Sequence, residues 1–201
     1  MRSHRQGRAP CLATLLCALA IAGPCSAARE PAPLPLDIDL DADGWPVPEF
    51  LLVDQNGGKL TRQQLLGQWS FVLFGDTRCA SPCTTGLVAM SALRARIAGA
   101  RVVQSTQFLF VSLDPVRDDA ARLKAYLAPY GPGLVAATGT AQMLKVLADE
   151  LGATQRIGHA SGHDGSLVLI DPQGNVRAVY LAPYDVRLLT ADYLIRRARR
   201  R

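Results

Sequence analysis

The sequence predicts an α/β fold: a mixed central sheet with helices on both faces. Three observations predict it. The runs "WSFVLFG" (69–75) and "TQFLFVSL" (106–113) are continuously apolar and strand-sized, as strands buried on both faces are. Apolar residues at helical spacing follow each run. The chain then closes with a strand hairpin and a last helix. With 201 residues, 49% apolar and 19% charged, the chain can build one domain with a real core.

The elements follow in order. "EFLLVDQNGGKLT" (49–61) reads as a hairpin turning at Asn56-Gly57-Gly58. Thr61 is placed to cap a short helix ending at Leu66. After the first apolar run, Leu87, Met90, Leu93 and Ile97 fall on one helical face. After the second, Asp118 and Asp119 open a helix carrying Leu123, Tyr126 and Leu127. "LVAAT" (134–138) is a short strand. Met143, Leu144, Leu147 and Leu151 line a helix that stops at Gly152. "SLVLIDPQGNVRAVYLA" (166–182) is a hairpin turning at Pro172-Gln173-Gly174-Asn175, and the last helix runs from Val186 to Arg197. This order is the pattern of a thioredoxin-like fold with an N-terminal hairpin extension and an insertion before the final hairpin.

The ends read differently. Arg2, Arg5 and Arg8 precede an apolar run from Cys11 to Ala22, and "PCSAA" follows. Residues 1–28 therefore read as a secretory signal cut near Ala27 or Ala28. The run is short of the roughly 20 residues a bilayer span needs; an uncleaved anchor is the alternative. Residues 29–47, rich in proline and acid, read as an extended lead-in, 48–197 as the domain, and 198–201 as a basic tail. The expected localisation is exported and periplasmic, or held at the inner membrane by the uncut N-terminus.

Export would remove Cys11, Cys17, Cys25 and His4, leaving Cys79, Cys83, His159 and His163. The three lost arginines lower the formal net charge from +5 to +2. Such a body, without aromatic–basic interleaving, makes no case for nucleic acid. Arg196, Arg197, Arg199, Arg200 and Arg201 could touch anionic lipid or an acidic partner; a solvated helix end is the plainer reading.

The remaining cysteines carry the chemistry. Cys79 lies four residues past a buried strand and Cys83 starts the next helix. Reactive groups gather at the carboxyl ends of parallel strands, and a helix start favours thiolate. Wound as one turn, the pair shares a face and can chelate an ion; two soft sulfurs suit Cu(I), with zinc as competitor. Dithiol exchange, with Cys79 and Cys83 as the redox pair, stays open, although its usual spacing is one residue shorter. An inert staple across three residues would constrain little chain.

In "GHASGHDGSLVLIDP", His163 precedes a strand that should run antiparallel to the strand before the cysteines. That topology can bring the imidazole to the pair. His159 reads as a bystander: zinc fingers separate their ligand pairs by about a dozen residues, whereas residues 84–158 intervene here. Asp114, Asp118, Asp119 and Asp171 read as turn and cap residues rather than an acid/base pair.

Together, "FLLVDQNGGKLT", "WSFVLFGDTRCASPCT", "VSLDPVRDD", "ATGT" and "HDGSLVLIDPQG" resemble the Sco/SenC copper proteins, thioredoxin-fold assembly factors of cytochrome c oxidase, over about residues 47–196. The resemblance implies Cys79, Cys83 and His163 as copper ligands, with an imidazole helping accommodate Cu(II). It implies as partner a copper-receiving oxidase subunit or another copper protein, served by copper delivery, by reduction of its cysteines, or both. A metallochaperone is favoured over an enzyme; a thiol–disulfide oxidoreductase and a redox or copper sensor are the alternatives. Ala80 and Thr84 replace the family's two loop prolines, Asp76 stands where an aromatic is common, and Gly162 replaces the aspartate before the histidine. Arg78, beside Cys79, is placed to favour its thiolate.

Overall fold

A computed structural model describes residues 37–39, 44–99, 101–151 and 165–199. Among them the strands are β1 (Asp37–Asp39), β2 (Leu51–Asp54), β3 (Lys59–Thr61), β4 (Trp69–Gly75), β5 (Thr106–Ser112), β6 (Leu134–Thr138), β7 (Leu167–Ile170) and β8 (Val176–Tyr180). The helices are α1 (Ser81–Ile97), α2 (Ala120–Leu127), α3 (Ala141–Glu150) and α4 (Val186–Arg199). The strands form one sheet in the order β1-β8-β7-β4-β5-β6-β2-β3. Parallel pairing joins β4, β5 and β6; β7 joins β4, and β2 joins β6, antiparallel.

Strand β4 is buried along its whole length, and its side chains divide by parity. Trp69, Phe71 and Leu73 enter one core with Phe108, Phe110, Leu87, Met90, Leu93, Leu123 and Tyr193. Val72 and Phe74 enter the other with Leu109, Val111, Leu144 and Leu147. Alternation along a strand sends successive side chains to opposite faces, so an unbroken apolar run feeds both cores. Helices α1, α2 and α4 cover the first face and α3 the second. Each fully buried leucine or phenylalanine contributes about 1.5–3 kcal/mol.

Local chemistry sets the boundaries. The Gln64 side-chain oxygen Oε1 accepts from the Thr61 backbone N–H at 2.8 Å and closes the cap of the 3-10 turn Arg62–Leu65. Asp119 caps α2 by accepting from Arg122 N–H at 2.8 Å, and Thr140 caps α3 through Met143 N–H at 3.2 Å. At the final hairpin Asp171 accepts from the Gln173 and Asn175 backbones at 3.0 and 2.9 Å. It also takes the Arg177 Nε–H at 2.6 Å, an ion pair almost wholly out of solvent.

One expectation changes. The lead-in does more than run extended. Asp37–Asp39 pairs with β8 as an edge strand. Pro46 bridges Asn175, the Trp45 indole donates to the Glu150 carbonyl at 2.6 Å, and Val47 is buried. The reason lies in β8, whose outer edge has backbone groups to satisfy.

A candidate dithiol site at the carboxyl end of the central strand

Gly75 ends β4, and the ladder continues one step through Leu113 N–H to the Gly75 carbonyl at 2.7 Å. The chain then turns tightly: Cys79 N–H donates to the Asp76 carbonyl at 3.1 Å, and Arg78 N–H to the Asp76 carboxylate at 2.7 Å. Ala80 precedes α1 and offers no side-chain cap, so the first-turn amides keep their positive end for a sulfur. Cys83 is the third residue of α1.

Cys79 and Cys83 are joined as a disulfide, Cα to Cα 5.7 Å. The two sulfurs differ in access. Cys83 is fully buried; Cys79 is half-buried. The room for Cys83 comes from Gly75: a Cβ there would run into the Cys83 Sγ and would stand 3.1 Å from the Phe110 ring edge. That glycine is needed for close approach.

The acids here divide their work in a way the sequence reading did not anticipate. Asp118 is 1% exposed. Its carboxylate accepts from Thr77 N–H at 2.9 Å, Thr77 Oγ1–H at 2.6 Å and Ser112 Oγ–H at 2.5 Å. It is a buried clamp between the end of β5 and the turn before Cys79, not a surface turn residue. Only Asp119 of the Asp118-Asp119 pair caps α2. Asp114 accepts from Arg117 Nε–H at 2.6 Å and lies 3.6 Å from Arg78 Nη2. The Arg117 hydrogen bond chiefly holds the Asp114 carboxyl below the usual range, with the charges of Arg117 and then Arg78 adding to it. Arg78, expected to favour a thiolate, thus shares its guanidinium with Asp114.

Tyr126 completes the surroundings. Its ring centroid is 5.4 Å from that of Phe110. Its hydroxyl is buried beside Thr84 without a hydrogen bond of ordinary geometry, and the Thr84 hydroxyl donates instead to the Ala80 carbonyl at 2.6 Å. Burial first, then the charges of Tyr130, Asp76 and Asp118, push the phenol up to about 12. Neither Gly75 nor Tyr126 stood out in the sequence, because a strand-end glycine and a helical tyrosine both read as ordinary.

His163 and His159 lie outside the described residues. The chain resumes at Gly165, whose position is informative. Its φ is +80°, and a Cβ there would stand 2.7 Å from the Pro82 carbonyl oxygen. The Gly165 carbonyl also faces Gly86 of α1. Strand β7 then pairs Leu167 with Leu73, the antiparallel arrangement expected from sequence.

Residues 43–194 match the SCO1/SenC family. A Stutzerimonas stutzeri protein named for copper binding is 34% identical over 143 residues, covering 68% of this chain and 70% of its own length. The human protein SCO1 homolog, mitochondrial, is 29% identical over 113 residues, 56% of this chain but 36% of the human one. Among solved structures, yeast Sco1 with copper bound aligns at a TM-score of 0.65 and 25% identity, covering 78% of this chain and 93% of that one. Bradyrhizobium japonicum ScoI with copper bound aligns at 0.61 and 25% identity, covering 72% and 95%.

Proposed function

Because the chain belongs to the SCO1/SenC family, we propose that it is an exported copper carrier that helps build the copper centre of a respiratory oxidase, with copper as cargo on Cys79, Cys83 and His163. The observation that carries this reading is the pair itself: two sulfurs, one two positions before a 17-residue helix and one on its first turn, at the carboxyl end of a buried strand. Opened by two electrons and two protons from a thiol reductant, they become two soft donors suited to Cu(I). The helix N-terminus favours their ionised form. Chain continuity supports the third ligand. One residue, Asp164, separates His163 from Gly165, two steps of extended chain span about 7 Å, and Gly165 abuts Pro82 next to Cys83.

The test is to reduce the protein, load it with Cu(I) and measure stoichiometry. One copper per chain is expected, lost when Cys79→Ser and Cys83→Ser are combined. Stoichiometric binding that survives the double substitution would sink the proposal.

The unequal access of the sulfurs favours a second reading, thiol–disulfide exchange with a copper-protein partner. The half-buried Cys79 thiolate attacks a partner disulfide, forming a mixed disulfide and releasing one partner thiolate. The Cys83 thiolate then attacks Cys79 Sγ, releasing the second. Two electrons pass to the partner and the pair closes. Copper-free reduction of a disulfide substrate supports this reading; a reduced pair that never exchanges ends it.

A further inference from the structure

Helix α4 buries Leu189, Thr190 and Tyr193 and turns a second face outward. That face carries Leu188, Leu194 and Ile195, which are 37%, 40% and 48% exposed, with Ala191 and Ala198 exposed beside them. Positions 188, 191, 195 and 198 recur at intervals of three and four, so they make one stripe. The solvent side of a surface helix is ordinarily polar; here most of it is aliphatic. Exposed Arg187 and Arg199 bracket the stripe, and five arginines occupy the last six positions of the chain. The nearby acids are engaged within the chain. Asp192 accepts from Arg196 Nε–H and the Tyr180 hydroxyl, both at 2.6 Å, and Asp185 accepts from the Arg187 and Leu188 backbones.

We propose that this face of α4 docks on the surface of an anionic bilayer, with Leu188, Leu194 and Ile195 entering the headgroup boundary and the exposed Arg187 and Arg199 on lipid phosphates. Charge selects the occupant. Guanidinium matches phosphate geometry in two-pronged hydrogen bonds, and a basic helix with an aliphatic face lies in the membrane interface. The stripe lacks the aromatic anchors that dominate protein interfaces, which disfavours an acidic protein. Arg197 Nη2–H donates to Ser105 Oγ at 2.6 Å, beside the start of β5, and the Tyr193 ring lies 5.9 Å from Trp69 at the start of β4. The disulfide sits at the other end of β4, a strand about 20 Å long. The disulfide is thus about one strand length from the arginine end of α4. None of this depends on the copper reading.

The experiment is amide hydrogen exchange on the full chain with phosphatidylcholine vesicles, with mixed phosphatidylcholine–phosphatidylglycerol vesicles, and with polyglutamate. Reading only the amides of 186–199 keeps the result independent of membrane attachment through the N-terminus. Slowing of about tenfold is expected on the anionic vesicles alone, lost when Leu188→Asn and Ile195→Asn are combined. Arg199→Gln should weaken the dependence on anionic lipid about fivefold. Equal slowing on both vesicle types, none on either, slowing by polyglutamate alone, or protection that survives the double substitution would each overturn the proposal.

Discussion

Asp118 and Thr77 are joined twice: one buried carboxylate accepts both the backbone N–H and the hydroxyl of a residue two positions before Cys79. The turn that presents the cysteine is thereby fixed to the end of β5. In Asp118→Asn the charge that strengthens these hydrogen bonds is lost and an amide N–H replaces one acceptor oxygen. A loss of about 1–3 kcal/mol is expected, measured by urea unfolding of the oxidised protein. Stability unchanged from the parent would mean that the clamp contributes nothing.

Gly75→Ala tests the space beneath the disulfide. The new methyl would overlap the Cys83 sulfur and press on Phe110, and overpacking of this kind costs about 1–3 kcal/mol. Unfolding should show that loss, and thiol counting should show the pair reduced more readily than in the parent. Parental behaviour in both assays would mean that the strand end yields without strain.

The proposed third ligand can be probed from both ends of its tether. His163→Ala should weaken Cu(II) more than Cu(I), because two sulfurs alone satisfy the softer ion. Gly165→Ala should do the same more mildly, since a side chain at φ +80° is strained and would push the loop off Pro82. The readout is the Cu(II) charge-transfer spectrum of each variant. Spectra unchanged in His163→Ala would remove the histidine from the site.

Tyr126 gives an alkaline signature. The folded chain keeps this proton to about 12, while the unfolded chain releases it near 10. Between those values the native state binds more protons than the unfolded one, so stability falls as pH rises. Tyr126→Phe should flatten that fall in denaturation curves taken across the window, and should remove one late phenolate step from the absorbance titration. A titration unchanged by the substitution would assign that step to another tyrosine.

The elements of this fold are legible in sequence wherever one physical pattern dominates. The double-sided burial of Trp69–Gly75, the helical spacing of Leu87 to Ile97 and the turn chemistry around Asp171 each appear as expected. The cysteine pair is legible once residues 1–28 are read as a signal, because that reading leaves no other cysteine. Asp118 is not, since a buried clamp and an exposed cap both read as an acid before a helix, and only the distant Thr77 and Ser112 tell them apart. Asp37–Asp39 is missed although Leu36, Ile38 and Leu40 alternate with acids at strand period, because the prolines and acids around them read as an extended lead-in. Gly75 and Tyr126 matter through neighbours more than eight positions away as well as nearby ones, and periodicity carries no such information.

Among the described residues both margins of the sheet are three residues long, Asp37–Asp39 on one side and Lys59–Thr61 on the other, and charged residues occur in each. Brief, charged margins discourage strand-to-strand recruitment of other chains. Association by added strands is therefore disfavoured on either flank, which helps the sheet stay monodisperse whether the sulfurs are joined, reduced or loaded.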